Sequence, residues 1–386
     1  MILTYAFVND TITFTEAFYE RRNSMIRILY LINHAGQAGT EKYVLNLVKY
    51  LADKDAKCYF AYNEGGLLSQ QMEEMGIPFL KIEMKNPFDL KAAKELAAFC
   101  KKEGIDIIHT QYPRENYIAL LSKKFGNRAK VIYTCHLTLH PPKVWAVMNK
   151  FMLPGNAKII SVCNNGKEIL TSNGAPKDKI EVIFNGIEAP DTHKDRSAVR
   201  ELGIDDNAFV FITLSRLSPE KGLKFLISSI KKLKGKTEKP FACLIAGGGD
   251  MKDELEAFIK EEGVENEVKL LGFRRDGEAL LSGSDVFINS ASCNEALSFA
   301  ILEGMGHALP VVATNIGGNG DIVNEKTGCG ILAEYGDEEG MAEALLKLME
   351  DEEFYKKCSE CSVSAVQTTF SLSKVLGDTY RIYKEI

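Results

Sequence analysis

The stretch "SCNEALSFAILEGMGHALPVVATNIGG", Ser292 to Gly318, carries one helix and one strand in immediate succession. Serine is a favoured N-cap, so Ser298 opens a short helix over Phe299–Met305. Ala308-Leu309-Pro310 ends it, and Val311-Val312-Ala313-Thr314 is a short apolar, β-rich run. Glu295 then lies on the loop before the helix, with Glu303 about one turn inside it. On a single continuous helix the two carboxylates would stand about 12 Å apart, at ~1.5 Å per residue. Paired carboxylates that cleave glycosides stand roughly 5–9.5 Å apart, so an acid/base pair of that kind is disfavoured. Between the glutamates lie the free N–H groups of a helix N-terminus, which favour an anion. Two acceptors flanking an anion site suit a phosphate with hydroxyls on both sides, which describes a nucleotide sugar.

The same alternation extends outward in both directions. Phe209–Leu214, Phe241–Ala246, Val268–Leu271 and Val286–Asn289 read as further strands, most of them separated by helical patterns. The polar run Glu188-Ala-Pro-Asp-Thr-His-Lys-Asp-Arg196 reads as a linker. Before it, strands at Ile26–Ile32, Lys57–Tyr62, Phe79–Ile82, Ile105–His109, Lys130–Thr134 and Lys158–Val162 alternate with helices. The helices fall at Glu41–Leu51, Leu67–Met75, Leu90–Lys102 and Ile118–Phe125. Repeated βαβ units imply an α/β fold of two doubly wound, Rossmann-like domains facing across a cleft. Ligands of such sheets bind beyond the carboxyl ends of strands. That rule selects Asn33–Thr40, His109–Glu115, Cys135–His140, Ser215–Gly222, Gly247–Asp250 and Ser290–Ser298.

The 386 residues suit two domains, and 45% apolar content supplies their cores. The division expected is an extension at 1–24, domains at 25–187 and 188–369, and a terminal helix at 370–386 that returns to the first domain. Residues 1–24 lack a basic leader and precede Met25, a credible start of the fold. No run approaches the ~20 apolar residues of a membrane span. Nine scattered cysteines without a secretion signal fit a cytosolic setting, and Cys358/Cys361 reads as one helix face rather than a metal or redox site. Residues 25–187 carry 22 Lys/Arg against 15 Asp/Glu, whereas residues 188–386 carry 23 against 35. The two domains therefore face different partners.

Arg216 and Lys221 lie five apart in Ser215-Arg-Leu-Ser-Pro-Glu-Lys-Gly222, after a strand and before a helix. A forked guanidinium and a point-charge ammonium suit a diphosphate. His34–Glu41 also joins a strand to a helix, and Gly36 and Gly39 admit close backbone approach of a phosphate or sugar. It is neither a Walker loop nor a dinucleotide fingerprint. Gly247-Gly248-Gly249 follows a strand too, but a tight turn accounts for it nearly as well. His136 faces the expected cleft. A metal pair with His140 lacks a third ligand, and no Asp-x-Asp motif is present, so no metal is expected. The helix from Lys143 to Leu153 bears the only tryptophan, near Lys123, Lys124, Arg128 and Lys130. Either it packs on its own domain with a basic rim, or it meets anionic lipid.

Together, Gly36–Glu41, His136, Asn185-Gly186, Arg216 and Lys221, Leu271-Gly272-Phe273, Glu295/Glu303, Pro310–Thr314 and Gly317-Gly318 resemble the retaining glycosyltransferases of family four. The resemblance spans Met25 to Ile386 and implies the GT-B architecture. By that resemblance Arg216 and Lys221 neutralise a departing diphosphate, Glu303 holds the ribose, and Glu295 holds the donor sugar. Amides near Ser298, Phe299 and Ala300 meet phosphate, Phe273 contacts the base through its backbone, and His136 lies near the reacting carbon. The Gly36–Gly39 loop approaches donor phosphate and acceptor. His136, Arg216, Lys221 and Glu295 are thus the catalytic candidates. Ser215, Ala296, Ser298 and Asp321 depart from the commoner family residues and bear on which sugar fits.

The activity implied is metal-independent transfer, with retention, from a nucleotide-diphosphate sugar to a saccharide or lipid-linked acceptor in cell-surface polysaccharide or glycolipid synthesis. No cofactor and no nucleic-acid partner are expected. The basic first domain suggests peripheral contact with the anionic inner face of a membrane. The alternatives are a nucleotide-sugar 2-epimerase of the same fold and a non-catalytic nucleotide-sugar-binding protein. Joint retention of Arg216, Lys221, Glu295 and Glu303 counts against the latter.

Overall fold

The computed structural model describes residues 25–136, 142–188, 192–293 and 295–386. The extension expected at 1–24, and His140, lie outside them.

Two parallel sheets form the frame. The first holds β1 (Ile26–His34), β2 (Ala56–Glu64), β3 (Phe79–Lys81), β4 (Ile107–Thr110), β5 (Lys130–Cys135), β6 (Lys158–Ser161) and β7 (Ile180–Val182), in the order β3-β2-β1-β4-β5-β6-β7. The second holds β8 (Phe209–Leu214), β9 (Phe241–Ala246), β10 (Val268–Gly272), β11 (Val286–Asn289), β12 (Val311–Thr314) and β13 (Gly330–Ala333), in the order β10-β9-β8-β11-β12-β13. Parallel sheets carry helices on both faces, so their central strands bury apolar residues to both sides. In β1, Ile28, Tyr30 and Ile32 pack to one side with Val44 and Leu47, while Leu29 and Leu31 pack to the other with Ala92, Leu96 and Ile118. The second sheet repeats this, Ile212 and Leu244 facing one core and Phe211 and Ile245 the other. Truncating a buried member such as Leu31 to alanine removes about 2–5 kcal/mol. These are GT-B-like doubly wound halves. Strand order reverses between β1 and β4, and between β8 and β11, so the loops that follow those strands flank the ligand crevice.

The helix Leu372–Glu385 lies against the first sheet. Its Val375, Leu376, Ile382 and Tyr383 share a core with Ile28 and Tyr30. The Tyr383 hydroxyl meets the Tyr30 hydroxyl at 3.1 Å and His109 Nδ1 at 2.6 Å, and His109 Nε2 meets Thr134 Oγ1 at 2.6 Å. Burial lowers the His109 pKa to about 3, so this ring is a neutral structural link. The chain crosses between the halves twice, side by side, with Ile187 bridged to Ser371. Gly186 is required there, because a Cβ would meet the Phe370 carbonyl oxygen at 2.8 Å.

Three elements depart from expectation. The helix expected at Ile118–Phe125 runs from Pro113 to Ser122. Proline is pre-organised for a first helical position, and the polar Glu115 and Asn116 that hid this start are buried. The strands β7 and β13 are additional to those expected; both are short edge strands with partly exposed residues, which leaves little apolar pattern in the sequence. Cys358 and Cys361 share the helix Glu352–Gln367 as free thiols.

Candidate functional site

The loop after β8 is fastened to the loop after β11. Ser292 N–H donates to the Glu220 carbonyl at 2.9 Å, and the Ser290 hydroxyl donates to the Lys221 carbonyl at 2.9 Å. Gly222 adopts φ 60°, and a Cβ there would stand 2.1 Å from the Ser290 carbonyl oxygen. This close packing delivers Lys221 to Glu295, with Nζ donating to Oε2 at 2.7 Å and side-chain exposures of 22% and 9%. From the other side Gly317, at φ 58°, passes so close that a Cβ would lie 1.8 Å from the Glu295 carbonyl oxygen. Gly318 N–H donates to that same oxygen at 3.1 Å. The backbone carrying Glu295 is thus clamped between two glycine-dependent approaches.

Three residues on, Ser298 is the N-cap of the helix Phe299–Gly306. The first intrahelical bond runs from Leu302 N–H to the Ser298 carbonyl at 3.3 Å, leaving the Phe299 and Ala300 amides outside the ladder. An anion is favoured at such an end. Phe299 also meets the first domain, since a Cβ on Gly39 would lie 2.8 Å from its ring. Glu303 pairs across the cleft with Lys42 at 3.2 Å, both side chains being substantially exposed. Such a pair is worth less than about 1 kcal/mol, so little holds the two side chains together. Gly36, Gly39, Lys42, Gln71, Phe299 and Glu303 surround a cavity of 480 Å³.

Opposite, at the ends of β4 and β5, His136 Nε2 lies 3.0 Å from Gln111 Oε1, and its ring meets Tyr43 edge-on at 5.2 Å. Burial lowers the His136 pKa to about 3, keeping the imidazole neutral at physiological pH. The Tyr112 hydroxyl donates to Thr40 Oγ1 at 2.9 Å, tying this loop to the glycine loop, whose Ala38 N–H donates to Glu41 at 3.1 Å. Sequence reasoning reached this loop but passed over Glu115, Asn33 and Arg114. Glu115 is buried; one carboxylate oxygen accepts from Asn33 N–H at 2.5 Å and the other has no partner among the described residues. Burial pushes its pKa up to about 7. The Asn33 amide oxygen accepts from Asn63 at 3.0 Å and Arg114 at 3.1 Å, which fixes the amide's orientation. A glutamate in a Pro-Arg-Glu-Asn run gives no sign of such burial in sequence.

With this geometry in place, the chain divides between two family profiles: "Glycosyltransferase Family 4" matches residues 38–189, and "Glycosyl transferases group 1" matches residues 195–362. The chain belongs to the group 1, family 4 glycosyltransferases. The UDP-Gal:alpha-D-GlcNAc-diphosphoundecaprenol alpha-1,3-galactosyltransferase of Escherichia coli is 25% identical over 347 residues, covering 85% of this chain and 89% of that enzyme. The N-acetylgalactosamine-N,N'-diacetylbacillosaminyl-diphospho-undecaprenol 4-alpha-N-acetylgalactosaminyltransferase of Campylobacter jejuni is 26% identical, covering 86% and 92%. In fold, the structure resembles Anabaena Alr3699/HepE in complex with UDP, with a TM-score of 0.82 at 20% identity, covering 94% and 100%.

Other expected residues of the transferase sit around this centre less tightly. Arg216 is 75% exposed and folds back on Glu220 at 3.0 Å. Phe273 is 75% exposed, its Cβ lying 3.6 Å from a Cβ built on Gly248. Gly247 and Gly249 serve the loop itself, because a Cβ on either would strike the backbone of Ser215 or Leu217. Asp321 is engaged by Asn164 of the first domain. Its two carboxylate oxygens accept from the backbone and side-chain amides of Asn164 at 2.7 Å and 2.7 Å, joining the domains.

Proposed function

We propose that this glycosyltransferase moves a sugar, with retention of anomeric configuration and without a metal, from a nucleotide-diphosphate sugar to a saccharide or lipid-linked acceptor of cell-surface synthesis. The observation that carries this is the Lys221–Glu295 pair, 2.7 Å apart and mostly withdrawn from water, three residues before a helix N-cap. A cation touching a carboxylate marks the boundary between a phosphate, which needs the cation, and sugar hydroxyls, which need the carboxylate. Glu303, inside that helix, takes the ribose hydroxyls in exchange for Lys42.

As the anomeric bond to diphosphate breaks, positive charge grows on the sugar and negative charge on the phosphate. Lys221, Arg216 swung off Glu220, and the Phe299 and Ala300 amides stabilise that anion. The neutral His136 lines the sugar side without adding a competing positive charge. The leaving phosphate oxygen takes the acceptor proton, and closure over the cleft excludes water. The two curated relatives are named for diphospho-undecaprenol-linked sugars, which supports a lipid-linked acceptor here.

The test is a thermal-shift screen of UDP, GDP, ADP and their sugars against wild type, Arg216→Ala and Glu303→Ala, with product configuration read by proton NMR in the presence of EDTA. A diphosphate-dependent shift weakened in both variants, and an axial product from an axial donor, are expected. No shift with any nucleotide, or an inverted product, overturns the proposal.

A further inference from the structure

The helix Lys143–Met152 buries none of its residues. One side is nevertheless anchored: Trp145 stacks on Phe88 at 6.0 Å with the rings parallel, it approaches Tyr117 at 6.2 Å, and the Tyr117 hydroxyl donates to Asn149. The other side presents Val144, Val147 and Phe151, spaced i, i+3 and i+7, at 72%, 53% and 76% exposure. Scattered exposed apolar residues are ordinary, but three on one helical stripe with nothing packed on them among the described residues call for an occupant.

Charge indicates which. Residues 116–167 carry eight Lys or Arg and not one Asp or Glu. Of these, Lys143 and Lys150 lie on this helix, one i, i+7 step along a flank of the stripe, and both are exposed. Three side chains offer on the order of 300 Å², well below the ~800 Å² per partner of a standard protein interface. An apolar stripe of this size with a lysine flank suits the boundary between headgroups and acyl chains. No helix among the described residues is long and apolar enough to cross a membrane. The helix follows β5, whose end carries His136, and Trp145 rests on Phe88 in the loop after β3. It therefore sits at the carboxyl edge of the first sheet, where the acceptor side of the cleft opens.

We infer that Val144, Val147 and Phe151 seat the enzyme on an anionic lipid surface, with Lys143 and Lys150 at the headgroups. This rests on the transfer proposal only for its purpose, which is to bring a lipid-linked acceptor to the cleft; the contact itself is independent of the donor chemistry.

Co-sedimentation of the full chain with phosphatidylglycerol-rich and pure phosphatidylcholine vesicles tests it. Trp145, the single tryptophan, supplies a local reporter through its emission. Binding to anionic vesicles with a blue shift, and loss of both at high salt, are expected. Lys143→Gln/Lys150→Gln weakens binding roughly 25-fold, at about fivefold per basic side chain near an anionic surface. Val147→Ser/Phe151→Ser weakens it by at least about tenfold. Both double variants keep the wild-type thermal shift with UDP, GDP or ADP, whichever wild type binds, which shows that they fold. Absence of vesicle binding, or binding indifferent to both double variants, overturns the inference. So does a concentration-dependent dimer abolished by Val147→Ser/Phe151→Ser without vesicle binding, which would assign the stripe to a second copy. Vesicle binding in a protein that binds no nucleotide would leave the docking surface standing and remove the transfer proposal instead.

Discussion

Replacing Lys221 by methionine isolates the charge pair at the centre of the site. At 2.7 Å and an effective dielectric constant of about 20, the gross Coulomb attraction is about 6 kcal/mol. Most of that offsets the desolvation of two charges, and removing one partner of a buried pair costs roughly 3–5 kcal/mol. Lys221 keeps 22% exposure and Glu295 has further contacts, so the low end, about 3 kcal/mol, is expected. Glu295→Gln keeps the side chain's shape and a hydrogen-bond acceptor and should cost about 1–2 kcal/mol. The double variant should then recover about 2 kcal/mol relative to the sum. Urea denaturation of the four proteins at neutral pH measures this cycle. Additivity within about 0.5 kcal/mol would refute the coupling between these two side chains. In turnover, Lys221→Met should lose about 10²–10³ in kcat, as for removal of one stabilising donor from a developing anion.

Other substitutions separate stability from binding. Glu303→Ala and Lys42→Ala should each change stability by less than about 0.5 kcal/mol, because their pair is exposed; calorimetry should show that only Glu303→Ala abolishes nucleotide binding. Gly317→Ala forces a Cβ to within 1.8 Å of the Glu295 carbonyl oxygen at φ 58°; a loss exceeding about 2 kcal/mol, with weakened nucleotide binding, is expected in denaturation and titration. Glu115 has a folded pKa of about 7 against an ordinary 4.5, so the native state holds the proton more tightly than the unfolded chain. Its contribution is intact below about pH 4.5 and falls by about 3 kcal/mol as the pH rises through 7; Glu115→Gln should flatten that slope in urea melts between pH 5 and 8.

The central strands were readable because burial on both faces makes them continuous apolar runs: Phe209–Leu214, Phe241–Ala246, Val286–Asn289 and Val311–Thr314 coincide with expectation end to end. Ser298 as a cap followed from serine before an apolar run, and the loops that carry Lys221 and Glu295 followed from strand ends, but not the contact between the two side chains. What could not be read depends on contacts remote in sequence. Lys42 meets Glu303 over a separation of 261 residues, and Asn164 meets Asp321 over 157. Glu115 looked like a loop residue because its identity reports charge, whereas its burial depends on Asn33, 82 positions earlier.

The helix Leu372–Glu385 has a consequence for how the enzyme is made. A domain whose strands all lie before residue 183 should be able to fold as it leaves the ribosome, well ahead of the second sheet. Here the core that Ile28 and Tyr30 share with Val44 and Leu47 is completed only when Val375, Leu376, Ile382 and Tyr383 arrive. The half translated first is therefore the half finished last. A nascent chain interrupted just before Leu372 would hold the core residues of the second domain, through Phe370, beside an unfinished first domain, so completion of the first domain waits on the synthesis of a single helix.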